Sequence, residues 1–126
     1  MRTLAFAFFA LVLAPWPALA EAADPLLPCL NGAAPPADAD QTDAPWGIEI
    51  ASAFSKADAL DAFSQAKKDY SDLLGDYSPT VLVVCNLSMG PALRYSARIA
   101  LDDRDAADKL CDKLQEAGGS CIVLKN

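Results

Sequence analysis

The sequence predicts an α+β domain in the order β-α-β-β-α-β, a four-stranded antiparallel sheet with two helices on one face. Three observations carry that expectation. Apolar residues alternate in Trp46–Ala51 and Leu93–Leu101, and run unbroken through Thr80–Cys85, as strands require. Between these lie two stretches of helical period, each opened by a residue able to cap a helix. Gly75, Gly90-Pro91 and Gly118-Gly119 punctuate the boundaries.

Trp46-Gly47-Ile48-Glu49-Ile50-Ala51 suits a half-buried first strand. Ser55 is positioned as the N-cap of a helix reaching Leu74, with Leu60, Phe63, Lys67, Tyr70 and Leu74 on one face. Lys67 is the polar break in that stripe, and Gly75 reads as its terminator. Thr80–Cys85 is β-branched and apolar throughout, a central or doubly covered strand, and Asn86–Pro91 is a turn. In the third strand Leu93, Tyr95, Ala97, Ile99 and Leu101 share one side, leaving Arg94, Ser96 and Arg98 on the other. Asp102 or Asp103 caps a second helix that turns Ala107, Leu110, Cys111 and Leu114 inward, and Ser120–Lys125 forms the last strand. Ser55-Lys56-x-x-Ala59-x-x-x-Phe63 aligns with Asp103-Arg104-x-x-Ala107-x-x-x-Cys111, an internal echo of two β-α-β halves.

Ahead of this domain, Arg2 leads into the apolar run Leu4–Ala14, then Pro15-Trp16-Pro17 and Ala18-Leu19-Ala20. That is the pattern of a secretory signal peptide over residues 1–20, cleaved after Ala20. The apolar run is about half a membrane span, so the expected mature protein has no stable membrane anchor. Residues 21–45 are rich in Ala, Pro and Asp and read as a flexible, extended tether, with Leu26-Leu27-Pro28-Cys29-Leu30 as its one apolar patch. The domain follows at 46–126.

Composition narrows the function. The 126-residue chain carries a net charge of −7 and no histidine, and has four cysteines. The absence of imidazole removes Ser-His-Asp and Cys-His catalysis and His-ligated zinc. The acidic balance and the lack of a basic stripe argue against nucleic acid. Asp102-Asp103-x-Asp105 lacks the glycine and terminal glutamate of an EF-hand loop and reads as a helix cap. Glycosidase-like carboxylate pairs arise by accident among so many acids. A non-enzymatic protein without metal or cofactor is expected.

Several segments look like a known family. Ile48-Glu49-Ile50-Ala51-Ser52-Ala53-Phe54-Ser55-Lys56-Ala57-Asp58-Ala59 resembles the opening of the SPOR (sporulation-related repeat) domain. Tyr95-Ser96-Ala97-Arg98-Ile99-Ala100 resembles that family's third strand. The run from Arg104 through Ala107, Leu110-Cys111, Leu114 and Ala117-Gly118 to Cys121 and Val123 is similar to its helix and final strand. Glu49 stands where the family prefers glutamine, and Ala100-Leu101 replaces its Gly-Pro; no open-face aromatic is evident. The resemblance implies a small module that binds peptidoglycan, favouring glycan strands stripped of their stem peptides, at bacterial division septa.

Exported cysteines in even number are expected to pair. Cys111 and Cys121 both face the core and would pin the second helix to the sheet, two free buried thiols being the alternative. Cys29 and Cys85 then remain, either paired to each other or with one unpaired or intermolecular. The helix-free face is expected to present Glu49, Ser52, Arg94, Ser96, Arg98, Ser120 and Ile122. Arg94 and Arg98 are candidates to engage the carboxylate of muramic acid, Ser52 and Ser96 its hydroxyls, and Ile122 a sugar face. Glu49 can pair with Arg98 across the sheet. The expected function is non-catalytic glycan binding in the periplasm, with other envelope or division proteins as further partners. The alternative is a protein-interaction module on the same scaffold.

Overall fold

A computed structural model of the chain describes residues 29–30 and 35–126. The predicted signal sequence with its cleavage site, and residues 21–28 and 31–34 of the predicted tether, lie outside the described residues.

The elements follow the expected order: β1 (Trp46–Ala53), α1 (Lys56–Asp69), α2 (Ser71–Leu74), β2 (Thr80–Val84), β3 (Arg94–Leu101), α3 (Arg104–Glu116) and β4 (Ile122–Lys125). The sheet runs β2-β3-β1-β4, and every neighbouring pair is antiparallel. A single turn of 3-10 helix, Leu87–Met89, bridges β2 and β3, with Asn86 accepting the Ser88 N–H. The two halves echo each other in conformation as well as in sequence. Ser55 caps α1 at φ −134°, ψ 154°, and Asp103 caps α3 at φ −135°, ψ 155°. Each side chain accepts the backbone N–H three residues on, a contact worth about 1 kcal/mol.

The core lies between one sheet face and the helices. Ile48, Val81, Ala97 and Ile99 supply the sheet side; Ala59, Phe63, Leu74, Ala107, Cys111 and Leu114 supply the helix side. Each large apolar side chain there contributes roughly 1.5–3 kcal/mol by leaving water. Cys111 and Cys121 are bonded, Cα atoms 5.7 Å apart, tying α3 to the start of β4. Closing that ten-residue loop restricts the unfolded chain by about 3 kcal/mol.

One expected helix is two. The chain breaks at Tyr70 (φ −124°, ψ 45°), whose N–H still bonds Ala66 while its carbonyl accepts from Leu73 and Leu74. The turn swings Leu74 into full burial, and Lys67 reaches past the break to donate to the Tyr77 carbonyl at 2.8 Å. That bond explains a lysine within an apolar stripe. Gly75 is right-handed (φ −57°), so it does not end the helix by a left-handed turn. It is needed because a Cβ there would meet the Ser71 carbonyl oxygen at 2.5 Å. Gly90, at φ 109°, and Gly118, at φ 91°, are the two glycines at positive φ among the described residues.

Residues 35–45 are bonded to the domain. Asp40 donates its N–H to the Val81 carbonyl and accepts the Val81 N–H on its carboxylate, 2.9 and 2.8 Å, along the free edge of β2. Lys56 at the start of α1 bonds both Asp40 and the Asp38 carbonyl, and the Tyr95 hydroxyl donates to Asp38. Cys29 is bonded to Cys85, just past β2. A strap thus occupies the edge that would otherwise be free to pair with another chain.

The Lys56 hydrogen bond and the Val81 N–H hold the Asp40 carboxyl below the usual aspartate range. A lowered folded pKa means the strap contact is fully present above the ordinary aspartate value of about 4 and is lost as pH falls through the lowered one. Hydrogen exchange should therefore show the Val81 amide protected at neutral pH and deprotected in acid before the core amides of β3. Replacing Asp40 by asparagine should flatten that pH dependence.

Candidate functional site

The sheet face away from the helices is the candidate site, and its geometry depends on an irregularity in β1. A strictly alternating strand would put Glu49 and Ser52 on opposite faces. The register shifts between Glu49, opposite Arg98, and Ala51, opposite Ala97. The bulge absorbs one residue, so Glu49 and Ser52 reach the same face while Ile48 and Ile50 pack toward the helices. Ser52 then lies opposite Ser96.

Two groups of polar side chains result. The first is a seam through the centre. The Ser96 hydroxyl donates to the Glu49 carboxylate and accepts from Arg98 Nε at 2.8 Å. Arg98 Nη1 donates to the Lys125 carbonyl and to Asn126 Oδ1, both at 3.0 Å. Asn126 Nδ2 continues to the carbonyls of Ala44 and Trp46, at 3.0 and 2.7 Å. Ser96 is 0% exposed and Arg98 4%. Burial makes the guanidinium less basic, and the Glu49 charge opposes that shift. An arginine stays protonated regardless, so the seam encloses a cation.

The second group is peripheral. Arg94 Nε donates to Ser52 Oγ at 3.1 Å, and its guanidinium lies 4.8 Å from the centre of the exposed Phe54 ring. A cation on an aromatic face is held in place while its outer N–H groups stay available. Between the two groups runs a groove of about 370 Å³, bordered by Glu49, Ser52, Arg94, Met89, Ile122 and Leu124, with Arg98 also on its lining.

Of the residues anticipated on this face, Glu49, Ser52, Arg94 and Ile122 line the groove, Ile122 being 55% exposed. Ser96 is wholly buried, and Arg98 is committed to the seam beneath. Glu49 and Arg98 are opposite in register but connect through the Ser96 hydroxyl rather than as a direct ion pair. Ser120 lies before β4 and is exposed there. The sequence reading missed Asn126, which as the last residue carried no pattern. It also missed Phe54 beside Arg94, although Phe54 shares the parity of Ser52. Asp103 serves as a helix cap, and among the described residues no cluster of three His, Cys, Asp or Glu is placed to hold a metal ion. No described helix is long and apolar enough to cross a membrane.

No family model and no curated protein matches the chain. A solved structure similar to it is that of the peptidoglycan binding domain of the B. subtilis cell wall lytic enzyme CwlC, at 22% identity and a TM-score of 0.42, covering 68% of this chain and 94% of that one.

Ser96→Ala removes the hydroxyl that Glu49 and Arg98 share and leaves two charged groups short of a buried partner. Urea denaturation should show a loss of about 2 kcal/mol, the scale of hydrogen bonds to charged groups. Thr at position 96 should restore part of it.

Proposed function

We propose that this chain is a non-catalytic module that binds peptidoglycan glycan strands, preferentially those stripped of stem peptides, along the groove of the helix-free face. The observation that carries the reading is the groove's chemistry. Arg94, fixed by Ser52 and Phe54, presents a cation beside the exposed apolar surface of Ile122 and Met89. A peptide-free glycan offers matching parts: lactyl carboxylates for the guanidinium, hydroxyls and acetamides for Ser52 and Glu49, and apolar sugar faces for Ile122. The resemblance of β1, β3 and α3 to SPOR sequences supports the same ligand. In a chain of net charge −7, a positioned arginine on this face is the feature an anionic glycan needs.

On this reading residues 1–20 direct export with cleavage after Ala20, the mature protein works in the periplasm, and the two disulfides suit that oxidising compartment. The face is shallow, so single-site affinity is modest and repeated sites on a strand supply avidity.

A second reading rests on a different observation. Leu87 and Met89, both 61% exposed, lie on the β2–β3 connection and offer apolar surface suited to another envelope protein.

Sedimentation with purified sacculi, before and after amidase treatment, tests the first reading. Wild-type protein should be retained, more strongly on stripped sacculi, and Arg94→Ala should weaken retention by about tenfold with unchanged thermal stability. Retention by neither preparation overturns the proposal. Loss of function on replacing Leu87, which does not line the groove, with Arg94→Ala silent, favours the second reading.

A further inference from the structure

Resting on the glycan-binding reading, we infer that the strap Pro35–Gln41 forms one wall of the ligand trough and that the Cys29–Cys85 bond holds this wall in place. The trough then extends beyond the sheet to a subsite built partly from the segment that precedes the domain.

A second groove, of about 490 Å³, lies between the strap and the sheet. Its floor includes Leu82 and Val84 of β2, Arg98 of β3 and the terminal Asn126; its far side is Pro35 to Gln41. Val84 and Arg98 also line the central groove, so the two grooves share a border on the β2–β3 side of the face. The volume decides what the strap does. A lid packed onto the sheet would leave no room, whereas this space falls in the range of about 300–1,000 Å³ typical of ligand sites.

The wall is bonded to the domain at Asp40, and Cys29, six residues before Pro35, is tied to the domain as well. Cys29 is bonded to Cys85, Cα atoms 5.4 Å apart, and Asp40 is held by Val81 and by Lys56. Attachments on either side in sequence limit the freedom the wall has left to lose when a ligand arrives, and that preorganisation favours binding.

Charge points to the occupant. Asp40, the acidic residue of this lining, is neutralised by Lys56 at 2.8 Å. Arg98 donates through Nε and Nη1 as described, and Nη2 has no partner among the described residues. A cation nine-tenths buried at the junction of two grooves suits the next carboxylate of the same sugar chain. The Gln41 amide, able both to donate and to accept, suits an acetamido group.

The test uses the mature protein and peptide-free glycan strands as probe. Amide chemical shifts of Ala37, Ala39 and Gln41 should move together with those of Ser52 and Arg94 as glycan is added. Cys29→Ser/Cys85→Ser, which keeps the Cys111–Cys121 bond, should bind roughly tenfold more weakly with the central-groove shifts preserved. Shifts confined to the central groove, or equal or tighter binding by the double variant, overturn the inference and leave the glycan reading standing. No shift anywhere overturns both. The wild-type titration decides the matter even if the double variant is unstable.

Discussion

The Arg98 guanidinium is a cation taken almost wholly out of water, and much of the helix-free face is arranged to make that tolerable. A buried charge with a missing partner costs several kcal/mol, and one removed partner of a buried pair typically costs 3–5 kcal/mol. Arg98 avoids this by spending Nε on Ser96 and Nη1 on the last two residues of the chain. Ser96 passes the interaction to Glu49, and Asn126 passes it to Ala44 and Trp46. The seam therefore joins β1 and β3 to the end of β4 and to the segment entering β1. Hydrophobic packing holds the opposite face; on this one, polar contacts draw the two ends of the domain together.

That arrangement separates stability from recognition. Ser96 and Arg98 beneath the groove are held by the seam, with Arg98 Nη2 left over, while Arg94, Ser52 and Ile122 border it from above and Glu49 belongs to both layers. The bulge in β1 is what allows both layers. Without the extra residue, Ser52 would turn toward the core and Arg94 would lose the hydroxyl that fixes it. The strap adds a boundary at the β2 edge, where an unpaired strand would otherwise invite pairing with another chain.

Most of the fold was legible because it is written in local periodicity. Alternation in β1 and β3, the apolar run of β2, and the caps Ser55 and Asp103 each state their element within a few residues. Cys111 and Cys121 were legible as partners because helix and strand parity both turn them inward. The break at Tyr70 was not legible, since the apolar stripe continues through it and only the packing of Leu74 and the Lys67–Tyr77 contact require it. At the site, sequence named the residues of the face but not their layers. Ser96 and Arg98 look like solvent-facing polar residues in a strand pattern. What buries them includes the C-terminal Asn126, more than twenty residues away in sequence, which no local pattern connects to them.

Arg98 is the buried organiser of this face. Its Nε–H proton reports on that directly, because a solvated arginine side chain exchanges rapidly with water. NMR at neutral pH should find a discrete Arg98 Nε–H signal in slow exchange, lost or shifted when Ser96 is replaced by alanine. Exchange as fast as that of a free guanidinium, in a protein whose backbone amides remain protected, would contradict the account.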